Sequence, residues 1–357
     1  MKNSRLLKIR KQIDEIDSKL VDLINKRARI ALMIGKLKKE SNGKIYIPSR
    51  EKEVISNVLR NSPGLMPKES LLSIFNEILH SARALQSKLK IAYFGPEASF
   101  THQAAIKNFG KYCDFIPAKS IGDVFQEVEK GRADYGVVPI ENSTEGIVNH
   151  TFDLFIESDL NICSELNLRI EECLLSNAPD LKSIKKVYSH PNPLAQCRVW
   201  LEVNLSWAKV IEAPSTSEAA KMVGEIKDSA AIASSLAAEL YRLKILARGI
   251  EDSKENYTRF LVIANQITGR SGSDKTSIMF SIKDRVGALH DMLLPFQKHK
   301  INLTKIESRP TKRKAWEYIF FIDLEGHVED GKVKQAIEEL EKQSVFLKIL
   351  GSYPRAE

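Results

Sequence analysis

The chain has 357 residues, 43% of them hydrophobic and 28% charged, with a formal net charge of +8; this suits two or three globular domains. No apolar run reaches the ~18 residues a membrane span needs, and the charged start "MKNSRLLKIRKQIDEID" lacks the apolar core of a signal peptide, so no membrane partner and a cytoplasmic location are expected. Cys113, Cys163, Cys173 and Cys197 form no CxxC and read as small buried residues of a reducing compartment.

Residues 1–88 hold 19 Lys and Arg against 9 Asp and Glu, or +10, which leaves −2 for the rest. A basic segment on a near-neutral body suits an anionic partner, either nucleic acid or a small polyanion. This segment reads as helices alone. Ile9, Ile13, Ile16, Leu20, Leu23, Arg27, Ile30, Ile34 and Leu37 follow the 4-3 spacing of a packed helix seam. "SNGKIYIPS" is a loop, and a second helix is expected near Arg50 with Ser49 as N-cap. Past "NSPGLMP", a third helix carries Leu71, Leu72, Phe75, Ile78, Leu79, Ala82 and Leu85 on one face. That is more apolar stripe than one long and two shorter helices can bury, so a homodimer or higher homo-oligomer is expected.

Residues 89–268 alternate strand and helix. "KIAYFG", "YGVVPIEN", "KKVYSH", "KVIEAP", "SAAIAS" and "RFLVIAN" read as strands, with helices such as "SIGDVFQEVEKG" and "TSEAAKMVGEI" between them. This is an α/β pattern, in which ligands bind beyond the carboxyl ends of the strands. Those ends carry the polar turns "FGPEASF", "PIENSTEG", "SHPNPLAQ" and "APSTSEAA", each either a plain helix cap or a place where backbone N–H groups hold an anion. "ENYTRFLVI", 255–263, sets Thr258 and Arg259 at the mouth of a buried strand, as a loop edge or an anion site. "ITGRSGSDK", 267–275, reads as a polar linker. Residues 275–357 then follow a β-α-β-β-α-β order, the ferredoxin-like α+β arrangement.

The chain has no GxGxxG, no Walker loop, no GxSxG elbow and no metal-spaced histidine cluster, so chemistry without cofactor or metal is expected. Arg27 takes a seam position that asks for Leu or Ile, either snorkelling from the seam's edge or serving a site. Lys38 lies 11 residues on, on the same face and about 16 Å away, so the pair could pinch a small dianion. Arg10 lies roughly 25 Å from Arg27 along the helix, so only a partner helix could bring it to the same site. Arg50, Glu51 and Gln86 could line that pocket.

"LLKIRKQIDEIDSKLVDLINKRARIALMIGKLK" followed by "IYIPSREKEV" resembles the all-helical chorismate mutase family, whose swapped dimers build each site from both chains. The resemblance implies that Arg10 of the partner subunit joins Arg27, Lys38, Arg50, Glu51 and Gln86 to rearrange chorismate to prephenate. Lys38 and Gln86 would face the breaking ether oxygen, and catalysis would come from positioning and preorganised electrostatics. Ile47 stands where some relatives have Asp, and Ala82 where some have Ser; neither removes a cation.

"YFGPEASFTHQAA", "GVVPIENSTEGIVNHTFDLF", "SHPNPLAQCRVWL" and "YTRFLVI" together resemble prephenate dehydratase. That implies two lobes, as in periplasmic binding proteins, with a cleft where prephenate loses carbon dioxide and water to become phenylpyruvate. Thr258 would donate a hydrogen bond to the leaving hydroxyl, Arg259 would clamp a carboxylate and Phe260 would form an apolar wall. Asn142, Ser143, Thr144 and Ser99 would supply donors, and His190 is either the titrating group, if the reaction needs one, or a structural residue near a helix cap. "EAS" at 97–99 replaces the Glu-Gly-Thr of relatives but keeps a hydroxyl.

Residues 275–357 resemble an ACT domain. "GALH" (Gly287, Ala288, Leu289, His290) and "IESRP" (Ile306, Glu307, Ser308, Arg309, Pro310) match the phenylalanine motifs of this enzyme family. The resemblance implies allosteric inhibition by phenylalanine bound between paired domains. Two rivals remain: a dehydratase acting on arogenate, the amino analogue, and a ligand sensor with a basic nucleic-acid-binding segment. Against the second, the first segment shows no helix-turn-helix, and no nucleic-acid partner is expected.

Overall fold

A computed structural model describes residues 2–41, 43–283, 285–310 and 318–356. Asn42 in the first expected loop and residues 315–317 at the start of the expected strand "AWEYIFFIDLEG" lie outside the described residues. The chain divides into two compact units, Met1–Leu89 with Phe109–Asp114, and Lys90–Asn108 with Phe115–Glu357.

The first unit is built on helices α1 (Lys2–Glu40), α2 (Pro48–Asn61) and α3 (Lys68–Gln86). α3 packs on both α1 and α2. The α1 seam is otherwise uncovered in the single chain: Ile13, Leu23 and Ile30 are 53%, 60% and 59% exposed. α2 begins on Pro48 after an Ile47 N-cap that makes no side-chain cap bond. Proline suits this first position because its missing N–H has no intrahelical partner to lose. Ser49 therefore lies in the first turn, and the expected Ser49 cap is corrected.

The second unit starts with β1 (Lys90–Phe94), α4 (Phe100–Phe109), β2 (Asp114–Ala118), α5 (Ile121–Glu129), β3 (Tyr135–Asn142), β4 (Gly146–Ile147), α6 (Asn149–Glu157) and β5 (Asn161–Arg169). A second lobe follows: β6 (Cys173–Ser176), β7 (Lys186–Ser189), α7 (Pro191–Gln196), α8 (Arg198–Asn204), β8 (Lys209–Glu212), α9 (Thr216–Val223), β9 (Ser229–Ala233), α10 (Ser235–Tyr241) and β10 (Lys244–Arg248). β11 (Tyr257–Ala264) returns to the first lobe. The sheets run β2-β1-β3-β11-β5, with β4 on β3, and β10-β6-β9-β7-β8. Between them the chain crosses twice, side by side: Ile170 N–H donates to Asn256 O at 2.8 Å, and Ile250 N–H to Glu172 O at 3.0 Å. These two crossings form the hinge.

The last segment comprises β12 (Asp274–Ser281), α11 (Ala288–Lys298), β13 (Leu303–Pro310), β14 (Tyr318–Glu325), α12 (Gly331–Glu341) and β15 (Phe346–Pro354). Its sheet order, β13-β14-β12-β15, is the ferredoxin-like one. Side chains alternate across this sheet. Phe280, Ile322 and Leu324 pack under α11 and α12, while Met279, Ile319, Phe321 and Tyr353 join the core of the first lobe. Gly351 allows the approach, because a Cβ there would strike the Ile162 carbonyl of β5. The expected polar linker is partly buried as well: Thr268 is 4% exposed and donates to Cys163 O at 3.1 Å. All four cysteines are free, with Cys113 only half-buried.

Candidate active sites

The helical unit holds a pocket of about 260 Å³ lined by Arg27, Lys38, Arg50, Glu51 and Gln86, with Ile34, Ile47 and Ala82 as apolar walls. Five of the six residues expected there thus meet within one chain. Arg10 is exposed on α1 and does not line this pocket. Lys38 Nζ donates to Ile45 O at 3.1 Å, and burial lowers its pKa against the pull of Glu51. Burial raises the pKa of Glu51 against Arg83, Lys38 and Arg27. Arg50 lies at the rim, exposed and paired with Glu53 at 2.6 Å. Gln86 Oε1 is buried with no hydrogen-bond partner among the described residues; such an atom marks where a ligand's donor or a water would sit.

Two features of this pocket escaped the sequence reading. Gly35 sits opposite Gln86, and a Cβ there would come within 2.8 Å of Gln86 Cγ, so the glycine lets α3 bring Gln86 against α1. Arg83 is 3% exposed. Its Nη1 lies 3.3 Å from Glu51 Oε1, Nη2 donates to Phe109 O at 3.1 Å, and the guanidinium stacks 4.7 Å from the Tyr46 ring centroid. A cation beside Ala82 on an apolar face was the available signal, of the same kind that exposed Arg27.

In the two-lobed segment, β11 pairs with β3 so that Thr258 faces Asn142. Asn142 Nδ2 donates to Thr258 Oγ1 at 2.8 Å and to Asn256 Oδ1 at 2.8 Å. Asn256 Nδ2 donates to Gln196 Oε1 at 2.9 Å, and Gln196 Nε2 to Glu145 Oε1 at 3.1 Å. Asn256 and Gln196 were not anticipated; no spacing in the sequence links them to Thr258. Ser143 Oγ donates to Glu255 O and accepts from Tyr257 N–H, which leaves it a hinge tie. Thr144 N–H donates to Asn142 Oδ1 at 2.8 Å. Phe260 is 1% exposed, two residues from Thr258 and so on the same face of the strand. Ser99 Oγ donates to Phe94 O and accepts from His102 N–H at the start of α4. His190 caps α7 through Nδ1, accepting from Asn192 N–H at 3.4 Å.

Arg259 departs from expectation. Adjacent residues of a strand point to opposite faces, and its guanidinium turns away from Thr258 toward the C-terminal sheet. Nε donates to Glu165 at 2.7 Å, Nη1 to Asp323 at 2.6 Å and Nη2 to Tyr353 Oη at 3.1 Å. Lys275 also pairs with Glu165 at 2.9 Å, and Lys305 with Glu141, the β3 neighbour of Asn142. With Nη1 also 3.5 Å from Glu141, four of the five N–H donors face protein acceptors, and the expected carboxylate clamp is not formed beside Thr258.

A second pocket, about 280 Å³, opens at α11 and is lined by Gly287, Ala288, Leu289 and His290 with Arg285, Tyr318 and Phe320. Gly287 is the N-cap with φ +78°, a left-handed conformation that favours glycine. The "IESRP" stretch divides by strand alternation. Ser308 and Pro310 pair with Phe320 and Tyr318 of the pocket wall. Glu307 and Arg309 take the other face, where Arg309 reaches Asp153 of α6 at 3.2 Å. Glu307 and Arg309 are therefore not brought to the α11 pocket within one chain.

No helix among the described residues is long and apolar enough to cross a membrane, and no His, Cys, Asp or Glu group among them could hold a metal ion. Family models match three stretches: chorismate mutase type II over residues 9–87, prephenate dehydratase over 91–268 and the ACT domain over 276–342. A bifunctional chorismate mutase/prephenate dehydratase of Aquifex aeolicus is 50% identical over 98% of this chain and 98% of its own length. One from Pseudomonas aeruginosa is 43% identical over 99% and 98%. Among solved structures, a prephenate dehydratase of Arthrobacter aurescens in complex with L-Phe superposes with a TM-score of 0.69 at 33% identity, covering 75% of this chain and 90% of that one.

Proposed function

Because the chain belongs to the bifunctional chorismate mutase/prephenate dehydratase family, we propose that the helical pocket rearranges chorismate and that the Thr258 site turns the resulting prephenate into phenylpyruvate. The observation that carries this reading is the separation of two unlike polar sites. Arg27, Lys38, Glu51 and Gln86 share one pocket in the helical unit, while Thr258 and Asn142 meet in the other unit.

In the mutase, Arg27 and Lys38, with Arg10 of the partner subunit, hold the substrate dianion in its reactive conformer. Lys38 and the NH₂ of Gln86 donate to the ether oxygen, where negative charge grows as the C–O bond breaks, and Gln86 Oε1 is left to accept from a water or a substrate hydroxyl. The uncovered α1 seam supports a homodimer, since a second α1 would bury the seam and bring Arg10 to the site. Arg50 serves at the rim, and Glu51 is available to accept from a substrate hydroxyl.

In the dehydratase, the bond to the ring carboxylate breaks, its electrons aromatise the ring, and the hydroxyl leaves as water after taking up one proton. Thr258 supports the leaving hydroxyl as a hydrogen-bond donor. Because Thr258 Oγ1 already accepts from Asn142, its own O–H is directed elsewhere. Thr144 and Phe260 shape the surroundings, while Ser99, Ser143 and His190 hold the turns that frame the cleft.

The α11 pocket supports a phenylalanine site. Its Gly287 turn suits an amino acid's α-carboxylate, with Tyr318 and Phe320 as apolar walls, and a paired domain would complete it. Binding there inhibits the dehydratase if phenylalanine favours one of two states. Arg259 and Lys305 bind the C-terminal sheet to β11 and β3, which supports a route for that effect.

The test is to feed the protein chorismate, prephenate and arogenate, with and without phenylalanine, and to measure its mass in solution. The reading expects phenylpyruvate from chorismate, a dimer or larger assembly, and dehydratase turnover that falls with phenylalanine while mutase turnover persists. Faster turnover of arogenate than of prephenate would reassign the second substrate.

A further inference from the structure

We propose that Asn256 is a positioning residue of the dehydratase: it holds the Asn142 amide so that Thr258 accepts from it and turns its own O–H away, and it ties that orientation to the second lobe through Gln196. The inference rests on the reading of Thr258 as a donor to the leaving hydroxyl. It begins with a count of hydrogens. The Asn142 NH₂ has two, one given to Thr258 Oγ1 and one to Asn256 Oδ1. Asn142 Oδ1 takes the backbone N–H groups of Thr144 and Glu145, at 2.8 and 2.9 Å. The amide is fully committed, and a Thr hydroxyl that accepts from it must send its proton elsewhere.

The direction of the chain is set at its far end. Glu145 is a carboxylate and only accepts, so Gln196 presents NH₂ to it and its carbonyl to Asn256. Asn256 must then present NH₂ to Gln196 and its carbonyl to Asn142. A flip at any link would set NH₂ against NH₂ or oxygen against oxygen. Asn256 is 2% exposed in the second hinge crossing, and its backbone carbonyl accepts from Ile170 of the first crossing. Gln196 ends α7 in the second lobe, while Asn142 and Thr258 belong to the first. The relay therefore spans the hinge, and Thr258 is fully directed only while the lobes stand as they do here.

Asn256→Asp tests this in the full-length protein. A protonated carboxyl has the hydrogen-bond pattern of the amide, accepting from Asn142 and donating to Gln196 Oε1. An ionised one sets oxygen against oxygen. The acidic groups about this hinge are Glu145, Glu171, Glu172, Glu251, Asp252, whose N–H donates to Gln196 O, and Glu255, with Arg169 and Lys254 paired to Glu251 and Arg248 to Glu171. The expected result is a dehydratase kcat that falls about 10-fold or more as pH rises, a limb absent from the unsubstituted enzyme, with KM held within about two-fold. Asn256→Ala should lose kcat by ~10- to 100-fold at every pH, because the amide is no longer held. The retained dehydratase KM and an unchanged thermal unfolding midpoint serve as the folding control, and mutase turnover, which belongs to the other unit, should not change. An Asn256→Asp profile parallel to the unsubstituted one would overturn the proposal. So would a KM rise that accounts for the loss, since that would make Asn256 a substrate ligand. Thr258→Ala run alongside separates the two readings. Retained kcat there would remove the donor role itself, whereas its loss with Asn256 variants at full rate would remove only the relay.

Discussion

In the helical unit, Arg27 and Lys38 stand in a pocket with Glu51 and Arg83; on β11, Arg259 stands within reach of Glu165, Asp323, Tyr353 and, at 3.5 Å, Glu141. The first group has more cations than carboxylates and lines open space. The second, with Lys275 on Glu165 and Lys305 on Glu141, sets three cations against three carboxylates, and its Arg259 is 9% exposed. A cation with surplus donors is disposed to take a ligand, whereas one enclosed by acceptors is structural. At Thr258 the sheet instead places neutral amides, whose use is to fix the direction of a proton rather than to attract charge.

The sharpest way to break this contrast is to remove a cation from each region. Arg27→Ala should cut mutase kcat/KM by ~10²- to 10³-fold, the scale of losing a preorganised charged donor, and leave dehydratase turnover unchanged. Equal loss of both in a steady-state assay would mean that the two sites are not separate. Arg259→Met should act on stability instead. It strands Asp323 and part of the Glu165 charge, and removing one partner of a buried pair costs ~3–5 kcal/mol. Denaturant unfolding followed by tryptophan fluorescence should show that loss. A raised KM for prephenate with an unchanged unfolding midpoint would restore the clamp.

Smaller changes sharpen the contrast. Gly35→Ala places a methyl group against Gln86, while replacing a mid-helix glycine gains up to ~1 kcal/mol in helix propensity. Mutase kcat should fall by up to ~10²-fold, the scale of an ~1 Å displacement of a reacting group, with no loss of helical CD signal. Unchanged turnover would show that Gln86 is not held by this contact.

Glu172, at the hinge, is 1% exposed, and burial, then Glu251 and Glu145, push its pKa up to about 8 from 4.5. Between those values the folded state binds more protons than the unfolded one, so stability is full below the unfolded value and falls as pH rises toward 8. Glu172→Gln should remove that decline, raising Tm at pH 8 by about a few degrees and changing little at pH 4.5. Parallel Tm–pH curves for the two proteins would contradict it.

The mutase pocket was largely legible because a helix seam repeats, and Arg27 shows as a break in the repeat. The α/β elements were legible where strands are plain apolar runs, as in "RFLVIAN". β5, "NICSELNLR", was not, because Ser164 and Glu165 are buried polar residues; Lys275 of the C-terminal sheet satisfies Glu165, and no local pattern announces a partner a hundred residues away. The opposed directions of Thr258 and Arg259 were there to be read from the two-residue period of a strand. Their adjacency in sequence suggested one site where the fold makes two environments. Asn256 and Gln196 were invisible, because a relay of amides exists only after both lobes have folded.

The most direct test of the whole account is a single time course. Thr258→Ala is given chorismate, and prephenate and phenylpyruvate are measured together. The account predicts that prephenate accumulates at the unsubstituted rate while phenylpyruvate formation falls ~10²- to 10³-fold or more. Phenylpyruvate formed at the unsubstituted rate, or chorismate left unconsumed, would contradict it.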